Sequence, residues 1–163
     1  MILAALTFAI GTTTFKPNTM MPARTVYDKS GCSGGNRSPE LHWSGAPVGT
    51  RSFAIIMHDP DAPAPGGWYH WVVYNVPATM THLAENAPVP DSRLGTTSFG
   101  EHPYGGPCPP PGKPHHYNTT IYALDVAKVA GDHLTGPQLE AAIAKHMLAK
   151  ATVTGLYSAK YHG

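Results

Sequence analysis

Two aspartates and a histidine crowd one short stretch of this chain. Residues 58–63 read His58-Asp59-Pro60-Asp61-Ala62-Pro63, and after Gly66 and Gly67 comes Trp68-Tyr69-His70-Trp71-Val72-Val73-Tyr74-Asn75-Val76-Pro77. A carboxylate beside an imidazole can fix the ring's orientation and favour its charged form. The pair expected here is Asp59 with His70. Such a pair can hold an anion, or it can move a proton to or from a reacting group. Aspartates in such a stretch also cap turns without further purpose, and the residues alone leave both readings open. Further histidines, His115 and His116, follow a Gly/Pro-rich segment, Tyr104 to Pro114, that contains Gly105, Gly106, Pro109 and Pro110.

The elements that must place these groups are strands. Ser52 to Met57 is a short apolar run of β-formers, and Trp68 to Val76 is aromatic and β-branched. Prolines remove amide donors and restrict the residue before them, so neither strand continues through residues 60–63. Strict alternation from Trp68 puts Trp68, His70, Val72 and Tyr74 on one face and Tyr69, Trp71 and Val73 on the other. The stiff turn lowers the entropy lost when a ligand is held. Further strands are expected at residues 6–10, 25–27 and 41–43, and at His115 to Leu124, where His115, Tyr117, Thr119, Ile121 and Ala123 share a face. Residues 79–95 read as a long polar connection. One helix is expected from Thr135, its cap, to about Ala149, with Pro137 in the first turn and His146 on the apolar stripe. A last strand carries Val153, Leu156 and Tyr157. Strands at this spacing suggest a sandwich or barrel.

Composition narrows the function classes. The 163 residues suit one domain, spanning 1–163. A formal net charge of +1 with 13% charged residues gives no nucleic-acid footprint and no polybasic membrane patch. Ten histidines invite a metal, but there is no His-Glu-x-x-His and no cysteine pair at zinc spacing, so neither a metal nor another cofactor is expected. Cys32 and Cys108 are either unrelated thiols or one bond closing a long loop, worth about 4–5 kcal/mol in the chain-entropy model. The apolar N-terminal run is too short to span a bilayer. It either opens the first strand or is the remainder of a trimmed export signal.

Four stretches together resemble the phosphatidylethanolamine-binding protein family, which includes Raf kinase inhibitor protein. They are Ser38-Pro39-Glu40-Leu41-His42-Trp43, Asp59-Pro60-Asp61-Ala62-Pro63, residues 68–77, and Tyr104-Gly105-Gly106-Pro107-Cys108-Pro109-Pro110 through His115-His116-Tyr117. The wording is similar to the bacterial and archaeal branch. The resemblance implies a mainly β fold, a Greek-key antiparallel β-sandwich with a small helical periphery that includes one C-terminal helix. It implies an anion-binding cavity lined by Asp59, Asp61, Trp68, His70, Gly106, Pro109, Pro110, His115 and Tyr117. Its ligand would be a small anion or a phospholipid head group. Exported bacterial members carry cysteines where Cys32 and Cys108 fall, which implies a disulfide and a periplasmic or extracellular location, with the cytoplasm as the alternative. The resemblance also allows inhibition of a protein kinase or serine protease, and a homodimer.

Two chemical expectations complete the reading. His70 and His115 both donate to phosphate oxygens, helped by the amides of Gly105 and Gly106. The competing reading is an esterase in which Asp59, His70 and His115 activate water or a hydroxyl, although no Gly-x-Ser-x-Gly elbow is present.

Overall fold

An apolar run without alternation, such as Ser52 to Met57, must be covered on both faces. The computed structural model, which describes residues 6–159, shows this arrangement. Residues 1–5 of the apolar N-terminal run lie outside the described residues. Strand β3 (Ser52–Asp59) sits inside a four-stranded antiparallel sheet ordered β4-β3-β6-β7, with β4 at Trp68–Pro77, β6 at His115–Leu124 and β7 at Met147–Tyr157. A smaller antiparallel sheet, β1-β2-β5, is built from Ala9–Gly11, Leu41–Ser44 and His82–Leu83. The fold is therefore mainly β, an antiparallel sandwich with one α-helix among the described residues.

Two cores flank the large sheet. Between the sheets, Leu41 and Trp43 of β2 pack with Phe53, Ile55, Met57, Trp71, Tyr117 and Ile121. On the far face, Ala54, Ile56, Tyr69, Val72 and Tyr74 pack against Leu139 and Ile143 of α1, which spans Gly136–Ile143. Thr135 caps α1 as expected, in a capping box with Gln138.

The helix ends sooner than its periodicity suggests. The expected end near Ala149 is incorrect, because Met147 onward pairs with β6 from Leu124 back to His115. A full ladder of hydrogen bonds outweighs helical spacing in three or four residues. His146 is accordingly no interior residue. It is half-exposed and its Nδ1 lies 2.9 Å from Asp125 Oδ1. The strand expected at 25–27 is also corrected. Ala23–Thr25 forms a 3₁₀ turn, after which Tyr27 N–H donates to Pro107 C=O. The first strand runs over Ala9–Gly11 rather than 6–10, and the connection at 79–95 contains β5 and a 3₁₀ turn at Asp91–Arg93.

Strict alternation fails in β4. Met57 pairs with Trp71 and His58 with Tyr69, so His70 is an extra residue in the ladder. This bulge turns His70 and Trp71 to the same side, with Trp71 in the inter-sheet core and the His70 ring 5.1 Å from that of Tyr117. His70 thus does not share a face with Val72 and Tyr74, which line the helix side.

Candidate functional site

The bulge and the strand ends converge on one end of the sandwich. Asp59 closes β3 and is 2% exposed. Its Oδ1 accepts from Asp61 N–H at 2.8 Å, which folds the proline turn back on the strand. Its Oδ2 lies 2.8 Å from His115 Nδ1, at the start of β6. The turn returns through Gly66 and Gly67, both with positive φ (76° and 78°). The partner of Asp59 is therefore His115, not His70 as expected. Asp59 shares the Met57 face of β3, and the β3–β6 register puts Tyr117 and His115 on that same face, so the carboxylate meets His115. The bulge brings His70 to this side too, but its Nδ1 is held by the Gly105 carbonyl.

His70 is held differently. Its Nδ1 lies 2.7 Å from Gly105 C=O and 3.1 Å from Gly106 C=O, and its ring edge meets Tyr117 and Phe99. A carbonyl only accepts, so Nδ1 carries the hydrogen. Burial pushes the imidazole down to about 4, against the opposing pull of the Gly105 carbonyl and the Asp59 charge. His70 is neutral near pH 7, and its Nε2 is a hydrogen-bond acceptor. The expectation that both histidines donate to an anion is corrected for His70.

Around these groups lies a cavity of about 300 Å³. It brings together Asp59, Trp68, His70, Pro109, Pro110, His115 and Tyr117 from the expected set. Two members of that set lie outside the lining. Asp61 turns outward, where its Oδ2 takes the backbone N–H of His116 at 2.8 Å and His116 Nδ1 at 2.7 Å. The His116 ring and amide hold its carboxyl below the ordinary range. Gly106 is spent on packing. Its amide donates to Asn36 Oδ1 at 2.8 Å, and a Cβ there would collide with the Thr25 carbonyl. The Gly105 amide donates to His70 C=O. Neither amide is free for a ligand, which corrects their expected role as donors.

The lining also includes Ser30, Ala62, Pro63, Phe99 and Cys108, which the sequence reading did not assign to the site. Ala62 and Pro63 belong to the proline turn and could have been included on that ground. Ser30 and Phe99 arrive from distant loops and carry no local signal. Cys108 arrives through its bond to Cys32, whose S–S distance is 2.01 Å and Cα–Cα distance 6.0 Å. The disulfide therefore forms part of the wall beside Pro109 and Pro110.

The electrostatics are uneven. Trp68, Phe99 and the prolines give apolar walls, while the Asp59–His115 pair and His70 are the polar features. The Tyr117 hydroxyl is buried with no hydrogen-bond partner among the described residues. Burial, then the Asp59 charge, raise its pKa far above the ordinary range for a phenol, so it remains an O–H donor. The Trp68 indole N–H is likewise unpartnered among them. No group of three His, Cys, Asp or Glu that could hold a metal occurs among the described residues. No described helix is long and apolar enough to cross a membrane.

The family model for phosphatidylethanolamine-binding protein matches residues 11–158. YbcL of Escherichia coli strain K12 is 38% identical, over 96% of this chain and 90% of that protein. YbhB of the same organism is 39% identical over 85% of this chain and 92% of its own length. The crystal structure of YbcL, described as a new member of the mammalian PEBP family, superposes with a TM-score of 0.88 and covers 94% of this chain and 99% of its own. A phosphatidylethanolamine-binding protein homolog from Chlamydia trachomatis, CT736, gives a TM-score of 0.82 at 32% identity, covering 94% of this chain and 98% of that one. A sandwich of this topology, matched in sequence over nearly all its described length, belongs to the phosphatidylethanolamine-binding protein family.

Proposed function

We propose that the cavity binds a small phosphate-bearing or other oxyanionic ligand of the phospholipid head-group kind. One observation carries this reading: imidazoles from β4 and β6 reach the same apolar-walled cavity, and one is backed by a carboxylate. Family membership supports ligand binding in general. When His115 is protonated, its remaining N–H donates to a ligand oxygen while Asp59 neutralises the ring. His70 accepts, so the ligand must bring a proton. A phosphate monoester supplies one as P–O–H below its second pKa of about 6. Calorimetric titration with phosphoethanolamine at about pH 6 and about pH 8 tests this, with tighter binding expected at the lower value. Equal affinity at both, or no heat at either, contradicts it.

A second reading rests on the Asp59–His115 hydrogen bond, which is also how a general base is oriented. Turnover of p-nitrophenyl acetate that disappears in His115→Ala would promote a hydrolase. Inhibition of a kinase or serine protease, if present, belongs to this cavity only where His70→Ala abolishes it. The disulfide fits a periplasmic or extracellular setting.

A further inference from the structure

β3 has a second end. It begins at Ser52, paired with Pro77, the last residue of β4. Seven residue steps at about 3.3 Å put this end roughly 23 Å from Asp59. A separate cavity of about 650 Å³ opens there. Arg51, Arg93 and Lys128 line it, against a single carboxylate from Asp132. Among the described residues, the lysines and arginines that pair with carboxylates are Arg24, Lys29 and Arg37. The three cations of this cavity have no such partner among them. Arg93 has only a long contact from Nη1 to Met80 Sδ, 3.7 Å, and a thioether is a weak acceptor.

The wall carrying Lys128 is fixed to the sheet at three points. Ser52 Oγ donates to Val126 C=O at 2.5 Å, Val129 N–H donates to Asn75 Oδ1 at 2.8 Å, and Tyr74 O–H donates to Gly131 C=O at 2.7 Å. Asn75 is at φ +58°, inside the second irregularity of β4, where Ile55 pairs with Val73 and Phe53 with Val76. A non-glycine residue rarely occupies the left-handed region, and asparagine tolerates it better than most. Here the Asn75 side chain turns to the loop and accepts from Val129 N–H, which ties the loop to β4. Thr79 and Ser92 also line the cavity.

We propose that this cavity is a second binding site, specific for a small polyanion bearing a pyrophosphate or two neighbouring phosphate groups. Two guanidinium forks and an ammonium match several phosphate oxygens at once. The volume exceeds that of the first cavity about twofold, which suits more than one phosphate group. The two sites then divide by charge: the first, with its buried carboxylate, takes a ligand that brings a proton, and the second takes dense negative charge.

The test is titration of the full chain with inorganic pyrophosphate, read by calorimetry and by backbone amide NMR. Saturable binding is expected, with shifts clustered at Arg51, Asn75 and residues 128–132. Arg93→Gln and Lys128→Gln should each weaken binding about tenfold, and raising salt from about 0.05 to about 0.3 M should weaken it further. His115→Ala should leave pyrophosphate affinity unchanged, which separates this site from the first cavity. Absence of saturable binding in the wild type, indifference to both charge-removing variants, or shifts confined to residues around His70 and His115 would each overturn the proposal.

Discussion

His115 donates from Nδ1 to Asp59 Oδ2 across 2.8 Å, and this hydrogen bond ties the end of β3 to the beginning of β6 inside the cavity. Outside, Asp61 repeats the contact with His116. Two successive Asp–His pairs thus lace the proline turn to the same strand. They differ in burial, since the side chains of Asp59 and His115 are 3% and 12% exposed whereas those of Asp61 and His116 are 41% and 55% exposed.

That difference sets the first expectation. Asp59→Asn leaves a buried amide in place of the acceptor for His115, and should lower stability by about 1–3 kcal/mol in urea denaturation. Asp61→Asn should change it by less than about 1 kcal/mol. Equal losses would mean that burial does not govern the pairs.

His70 makes folding sensitive to acid. Its folded pKa is depressed by burial from 6.5 to about 4, so the unfolded chain binds the proton more readily. The stability this contributes is complete above about pH 6.5, falls as pH drops toward 4, and is gone below it. The amount is on the order of 3 kcal/mol. Denaturation midpoints of wild type and His70→Gln from pH 7 to pH 4 should converge as pH falls, and parallel curves would contradict the assignment.

The Cys32–Cys108 bond joins residues 76 positions apart. Cys32→Ser with Cys108→Ser should cost about 4–5 kcal/mol in the chain-entropy model, seen as a lower guanidinium midpoint. Cys108 and Pro109 line the cavity, so phosphoethanolamine affinity should fall as well. An unchanged midpoint would show that the bond does not constrain the unfolded chain.

Gly106→Ala tests the close approach of two loops. Its Cβ would meet the Thr25 carbonyl and the Val26 and Tyr27 backbone. Relief requires moving the segment that also holds His70 through the Gly106 carbonyl. A loss of about 1–3 kcal/mol is expected, with weaker ligand binding. A neutral effect would mean that the loop yields without strain.

Much of this was legible in the residues. Ser52–Met57 is apolar at every inward and outward position except Ser52, and the strand it signals is buried on both faces. The alternation of His115 to Leu124 matches β6 end to end. Seven of the nine expected cavity residues line one cavity. The errors share a cause. Alternation assumes an unbroken ladder, and nothing local announces the bulge that turns His70 away from the Val72 face, or the β3–β6 register that sets His115 beside Asp59. The end of α1 was hidden because Met147 and Leu148 suit helix and strand alike, and pairing with β6 decides between them. Phe99 and Ser30 were invisible because the path of the chain, rather than any motif, delivers them.

His70 and His115 are proposed to serve one ligand through opposite hydrogen-bonding roles. Nitrogen-15 NMR of the two imidazoles during titration with phosphoethanolamine at about pH 6 tests this most directly. The expected result is that both rings shift with a single Kd, His115 as a donor and His70 as an acceptor whose Nδ1–H stays on Gly105. Shifts in neither ring, or in His116 and His146 alone, would contradict it.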